Sequence, residues 1–234
     1  MTRTNPTPAS AQHLTPDLPQ DLRLSDPCVL QSDAPEVAPQ LLGALLIQPA
    51  SGVRLRIIET EAYMANDPAS HSFRGRTRRN QPMFGPAGCW YAYFVYGMHW
   101  CLNVVTGPEG DGQAVLLRAA RVEAGWPVVA ERRGIAFGRE GSGGSSDAVR
   151  ARSVDGPAKL ASALSVGAGI NGQSCVSVDS PVVLASDATA LGVDRITTRV
   201  GISAGQYSLW RFCADGAPRR QPDLVARPSR SPTN

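Results

Sequence analysis

Residues Val53 to Tyr63 (Val-Arg-Leu-Arg-Ile-Ile-Glu-Thr-Glu-Ala-Tyr) constrain the fold more than any other stretch. Val53, Leu55 and Ile57 alternate with Arg54 and Arg56, the period-two pattern of a strand with one buried face. Continuing that parity puts Glu59, Glu61 and Tyr63 on the side of Val53, Leu55 and Ile57. A face that begins as core therefore ends in two carboxylates and a phenol. Burying a carboxylate costs several kcal/mol unless a donor or a cation meets it. The strand either runs out of the core to a solvated rim here or forms a pocket wall carrying an acid or base. On these residues alone the rim is the plainer reading.

Around this strand the chain reads as a mainly antiparallel α+β pattern. Val37, Leu41, Leu42, Leu45 and Leu46 recur at helical spacing over 37–47. Trp90–Tyr96, a turn at Gly97–His99 and Trp100–Val105 predict a hairpin, with Tyr91, Tyr93 and Val95 on one face and Trp90, Ala92, Phe94 and Tyr96 on the other. Tyr96 at the tip is a large aromatic that is hard to bury there and costly to leave in water, so something is expected to dock against it. Gln113–Arg118 predicts another strand, and a guanidinium at its end needs an anion, for which Glu59 and Glu61 are the candidates. Helices are expected over 126–133 and from Asp155-Gly-Pro157 through Leu164, where Pro suits a first turn. Short strands are expected at 182–184, 196–200 and 207–212. Arg74, Arg76, Arg78 and Arg79 crowd one loop without an acid, which makes either a solvated surface or a phosphate clamp. The Gly/Ser stretch 138–146 predicts a flexible loop.

Composition narrows the class. The 234 residues, 42% of them hydrophobic, can fill one domain core. A net charge of +3 does not by itself announce a polyanion partner. The five cysteines stand singly with no C-x-x-C, and the three histidines are scattered, so neither a zinc site nor a disulfide framework is expected. Lone thiols fit a reducing cytoplasm. There is no apolar run of 18 residues and no leader-like N-terminus, so no membrane is expected. Residues 1–22 and 215–234, rich in Pro, Arg, Ser and Thr, read as disordered tails flanking a single domain at 23–214.

Taken in order, Glu59-Thr-Glu-Ala-Tyr63, Ser70-His-Ser72, Arg79-Asn80, Met83-Phe-Gly85, Tyr93-Phe-Val-Tyr-Gly-Met98, Cys101-Leu-Asn103, Val115-Leu-Leu-Arg118, Gly156-Pro-Ala-Lys-Leu160 and Arg199-Val-Gly201 resemble the alkyladenine (3-methyladenine) DNA glycosylase family from about residue 40 to about 214. The resemblance implies a compact single domain, a curved, mainly antiparallel and partly open barrel-like sheet with surrounding helices and a protruding hairpin. It implies excision of alkylated or deaminated purines (3-methyladenine, 7-methylguanine, hypoxanthine, ethenoadenine) from duplex DNA, approached through the minor groove by a cytoplasmic monomer without cofactor or metal. By the same resemblance Glu61 activates water, assisted by Arg118 and the Val200 carbonyl. Tyr63, His71 and Tyr93 sandwich the base, with Ala69, Met83 and Leu116 completing the pocket and Asn103 rejecting normal guanine. Tyr96 fills the gap left by the flipped nucleotide, and Arg74, Arg76, Arg78 and Arg79 hold phosphates. The chain departs from the family at His99, where a Tyr is common, in a turn before Gln113 longer by two residues, and in lacking a Cys after Lys159-Leu160.

The chemistry is coherent with these residues. Extruding a base costs a few kcal/mol, and an aromatic wedge offsets roughly 1–3 kcal/mol of it by stacking. An aromatic sandwich attracts cationic bases. A carboxylate by the sugar both steadies an oxocarbenium-like centre and takes a proton from water. An adjacent Arg118 favours the charged carboxylate, which gives weight to the electrostatic role. Lys159, the only lysine, begins a helix far along the chain from the motif, so water rather than an amine is the expected nucleophile. Two rivals remain open. A sugar hydrolase could pair Glu59 with Glu61, since side chains two apart on a strand lie about 6.5–7 Å apart, inside the roughly 6.5–9.5 Å range of inverting enzymes. A lesion-binding module without catalysis is the other.

Overall fold

The computed structural model describes residues 22–136, 147–189, 191–220 and 225–226. Residues 1–21 of the first expected tail, most of the second and the Gly/Ser loop at 138–146 lie outside the described residues. The strands are β1 (Arg23–Leu24), β2 (Leu45–Gln48), β3 (Val53–Tyr63), β4 (Trp90–Val95), β5 (His99–Thr106), β6 (Gln113–Ala124), β7 (Val183–Ser186), β8 (Arg195–Thr197), β9 (Arg211–Cys213) and β10 (Val225–Ala226). The helices are α1 (Ala34–Gln40), α2 (Trp126–Arg132), α3 (Asp147–Arg152) and α4 (Pro157–Ala163). All strands pair antiparallel in one open sheet, ordered β1-β7-β2-β3-β6-β5-β4, with β9 added to β3, β8 to β9 and β10 to β8. The expected α+β single domain is therefore what forms.

Strand β3 is the axis. Its neighbour β6 runs beside nearly all of it, while its other edge is shared: β2 pairs with 53–56 and β9 with 59–61. The sheet forks between those two partners, and at that point the β3–β6 ladder is irregular. The irregularity corrects the parity read from sequence. On β3 the core takes Val53, Leu55 and Ile57, then Ile58 and Ala62. Thr60 also points to the helix side, donating to the Ala38 carbonyl of α1 at 2.8 Å. On β6 the core takes Val115, Leu117 and Ala119, then Ala120. The bulge shifts both strands by one side-chain position, as bulges do when they re-aim a side chain. Glu59, Glu61 and Tyr63 thus leave the core face that Val53, Leu55 and Ile57 occupy.

A second correction concerns residues 37–47. The helix ends at Gln40, and Leu45–Gln48 is strand β2. Gly43 lies at φ +90, and a Cβ there would sit 2.8 Å from the Leu191 nitrogen, so the chain turns where a helix would need an ordinary residue. Leu45, Leu46 and Ile47 are apolar on both faces because β2 is covered on both sides, which let a helical pattern pass through them.

The hairpin β4–β5 alternates as expected. Trp90, Ala92, Leu102 and Val104 join the main core, and Trp90 is pinned by its indole N–H to the Val182 carbonyl at 2.8 Å. Strand β6 pairs with β5 only from Asn103 to Thr106, so the outer half of the hairpin has no third strand and projects beyond the sheet. Helix α4 packs on β5 and β6 through Leu160, Ala161 and Ala163. Past Asp215, where the sequence reads as tail, Ala217 is buried and Arg220 reaches Glu59.

Candidate active site

The face opposite the main core encloses a cavity of about 450 Å³, within the usual range for a small-ligand site. Its walls follow from strand parity. Tyr91, Tyr93 and Val95 of β4, Cys101 and Asn103 of β5, and Leu116 and Arg118 of β6 are alternate residues on one face, and Tyr63 ends β3 beside them. Ala69, His71 and Met83 come from the segment between β3 and β4, and Pro157 and Ala158 from the start of α4. Val200 to Ala204, between β8 and β9, close the opposite side.

Glu61 lies behind this wall, fully buried, and its three donors all line the cavity. Oε1 accepts the Val200 N–H at 2.8 Å. Oε2 accepts Arg118 Nη1 at 3.0 Å and the Tyr63 hydroxyl at 2.8 Å. A carboxylate offers about four lone-pair positions; with three filled, one is left for a water. Burial and then Glu61 push the Tyr63 phenol well above its usual range, so it stays a donor. Burial works against the charge on Arg118, but Glu61 and Glu59 outweigh it and hold the guanidinium protonated.

Glu59 is placed differently. Its Oε1 meets Arg118 Nε at 3.2 Å, Arg211 Nε at 3.2 Å and Arg220 Nε at 3.3 Å, and Oε2 meets Arg220 Nη2 at 3.4 Å. It is fully buried and does not line the cavity. The question of which glutamate Arg118 serves has the answer that it serves both, as the bulge carries its side chain between them. Neither glutamate lines the cavity; Glu59 differs in its partners, since it is held by three guanidiniums where Glu61 has three donors that all line the cavity.

The aromatic wall is tied together by edges. His71 lies edge-on to Tyr93, with ring centres 4.4 Å apart, and its Nδ1 is 2.9 Å from the Tyr91 hydroxyl. Partial burial, then Arg79, lowers the His71 pKa, so the imidazole is neutral near pH 7. Burial raises Tyr91 to about 12 and raises Tyr93 as well. The Asn103 amide donates to the Tyr91 carbonyl at 2.9 Å.

At the cavity mouth the hairpin tip carries Tyr96, 82% exposed. Its φ of 54° precedes Gly97 at 67°, and Met98 N–H bonds to the Val95 carbonyl at 3.2 Å. Two successive left-handed residues make a tight turn that Asn or Gly fills without cost. A bulky aromatic there is an outlier, of the strained kind found at functional positions.

The structure brings Tyr63, Ala69, His71, Met83, Tyr93, Tyr96, Asn103, Leu116, Arg118 and Val200 to one cavity. It does not bring the arginines there. Arg74, Arg76 and Arg78 are exposed on the loop after Ser72, and exposed Arg79 donates to the Phe94 carbonyl, bracing the hairpin. Asn80 shapes that loop, donating to the His71 carbonyl at 2.8 Å and the Gly75 carbonyl at 3.0 Å. Sequence reasoning missed Tyr91, although its parity with Tyr93 was a usable signal. It also missed Asp67 and gave no role to Arg199, a buried pair joining the loops on two sides of the cavity. Among the described residues no cluster of His, Cys, Asp and Glu could hold a metal, and no helix is long and apolar enough to cross a membrane.

Comparison with known proteins matches residues 28–218 to the family model of methylpurine-DNA glycosylase. Relatives named as 3-methyladenine DNA glycosylases include one from Carboxydothermus hydrogenoformans, 39% identical over 178 residues, covering 75% of this chain and 87% of the relative. One from Streptomyces avermitilis is 40% identical over 205 residues, covering 85% and 91%. A third, from Methanoculleus marisnigri, is 41% identical over 192 residues, covering 80% and 93%. With the family model spanning the whole sheet from β2 to β9 and the cavity it encloses, the chain belongs to the methylpurine-DNA glycosylase family of DNA-repair enzymes.

Proposed function

We propose that this chain is a monofunctional glycosylase that rotates an alkylated or deaminated purine out of duplex DNA and hydrolyses its N-glycosidic bond with a water held by Glu61. The observation that carries the reading is the buried Glu61 carboxylate. Three donors that line an aromatic cavity hold it, and about one acceptor position is left to spare. A purine between Tyr63 on one side and His71 and Tyr93 on the other would present its sugar toward that wall. As the bond lengthens, positive charge grows on the sugar, and a carboxylate held in place beforehand stabilises it without reorganising. The same carboxylate takes the proton of the attacking water.

Arg118 fixes the orientation of Glu61, and the Tyr63 hydroxyl and Val200 N–H complete the cradle. Asn103, held by its bond to the Tyr91 carbonyl, is set to meet a purine's exocyclic substituent. The projecting hairpin would enter the minor groove, with Tyr96 taking the place of the extruded nucleotide. Arg74, Arg76 and Arg78 would track the phosphates. Lys159 is engaged with Asp155 and the Arg152 carbonyl, outside the cavity lining, so among the described residues no amine stands ready for a Schiff base.

The enzyme would act as a cytoplasmic monomer. The test is incubation with duplexes bearing a single hypoxanthine or alkylpurine, followed by alkali to cut abasic sites, with sedimentation of the complex to give the stoichiometry. Strand cutting only after alkali, from a one-to-one complex, is expected. Intact strands after alkali would remove the catalytic reading, and cutting without alkali would replace it with a lyase.

A further inference from the structure

Against the Tyr63 ring, buried and outside the cavity lining, lies a cation that neither the catalytic reading nor the hairpin uses. The Arg199 guanidinium carbon is 4.6 Å from the Tyr63 ring centre and 5.1 Å from that of Trp210. Its Nη1 donates to the Ala62 carbonyl at 3.0 Å and its Nη2 to the Gly205 carbonyl at 3.2 Å. Asp67 grips both terminal nitrogens, with Oδ1 at 2.9 Å from Nη2. The approach is close enough that a Cβ at Gly205 would fall 2.6 Å from Asp67 Oδ1. Arg199 thus fastens the end of β3, the loop of Asp67 and Ala69, and the loop of Val200 to Gly205 into one wall.

We propose that Arg199 is a positioning and specificity-determining residue that biases the cavity against cationic bases in favour of neutral ones, acting through the Tyr63 ring. The inference rests on the proposed glycosylase function. A stacked ring attracts a cation because its face is electron-rich. A guanidinium already seated against Tyr63 draws that density to itself and repels a second positive charge on the cavity side. With the guanidinium 4.6 Å from the ring centre and a base stacked about 4.5 Å beyond, the two charges stand roughly 9 Å apart. At an effective dielectric of about 20, that separation alone is worth somewhat more than tenfold in relative binding. Asp67, bonded to both terminal nitrogens, cancels most of that field in the wild type and leaves a bias of about twofold. The attraction for cations that three aromatic rings would otherwise provide is thereby moderated at Tyr63.

The experiment measures single-turnover excision of 7-methylguanine, cationic while its N1 keeps its proton, and hypoxanthine, neutral, from otherwise identical duplexes in slightly acidic buffer. Arg199→Gln removes the cation and leaves Asp67 in place, so the ratio of the two rates should move about tenfold toward 7-methylguanine. Arg199→Lys keeps a cation and should hold the ratio near the wild-type value, even if both rates fall. Asp67→Asn unmasks the guanidinium and should move the ratio the opposite way, toward hypoxanthine. A purely structural role lowers both rates together, so an unchanged ratio in Arg199→Gln overturns the proposal. Should that variant fail to fold, the direction of the shift in Asp67→Asn decides, and no shift there is equally fatal. If the wild-type chain excises neither base, the proposed function itself fails; if it excises either and the ratios do not move, only the role of Arg199 does.

Discussion

Replacing Tyr96 by Gly separates the wedge from the turn that carries it. With 82% of Tyr96 exposed, only about a fifth of its surface is covered. Out of roughly 200 Å² for a Tyr, that is near 40 Å², or about 1 kcal/mol of burial at ~25 cal/mol per Å². Against this, the left-handed backbone at φ 54° costs an L-residue roughly 1–2 kcal/mol, which Gly does not incur. The two effects nearly cancel, so Tyr96→Gly should unfold within about 1 kcal/mol of wild type, on either side. A ring packed in the core would instead cost about 3–5 kcal/mol on truncation. The flipped complex, by contrast, loses one stacking contact of roughly 1–3 kcal/mol, so the flipped population should fall on the order of tenfold to a hundredfold. Urea unfolding and single-turnover excision are measured together, with the lesion paired and opposite an abasic gap. The excision defect should shrink at the gap, where less pairing must be broken. A fall of 3 kcal/mol or more in unfolding free energy, with equal rate losses on both substrates, would make Tyr96 a packing residue and refute the argument.

Other expectations follow from the same geometry. Glu61→Gln keeps one oxygen that can still accept from Arg118 and Tyr63, but it turns an amide NH2 toward the Val200 N–H and loses the base, so duplex binding should persist while excision falls about 10²–10⁴-fold; near-normal excision would exclude Glu61 as the base. Glu59→Gln leaves three guanidiniums around a neutral amide, so its main effect should be destabilisation by about 3–5 kcal/mol in denaturant, and a stable but inactive variant would restore the paired-carboxylate reading. Removing two of Arg74, Arg76 and Arg78 should make the slope of log K against log salt shallower by roughly 2 without changing which lesion is chosen, whereas Arg79→Ala should lower excision by loosening the hairpin. His71 has a lowered pKa in the folded chain, so between that value and about 6.5 the unfolded chain binds more protons and stability rises with pH. Acidification below about pH 6.5 should therefore lower the unfolding midpoint, and His71→Gln should lose that part of the pH dependence; identical pH profiles would show that His71 does not titrate in this way.

The sequence by itself determined the local elements and the chemistry they carry. Alternation over 90–105 sorted Tyr91 and Tyr93 from Trp90 and Ala92 because side-chain direction in a strand is a property of neighbouring residues alone. Arg118 at the end of an apolar run announced a buried cation in need of an anion. What the sequence could not determine was which anion, or which side of β3 its glutamates occupy. Parity carried from Val53 put Glu61 on the core face, and only the irregular β3–β6 ladder, where β2 gives way to β9, moves it to the cavity. The helix read through Leu45 failed for a related reason, since a strand covered on both faces has no period to read. Arg199, Asp67 and Arg220 come from segments 132 residues apart in one case and 161 in the other from the partners they grip. No local pattern encodes such pairs: a buried charge settles beside whichever opposite charge the finished fold brings near, and that is decided by the tertiary structure.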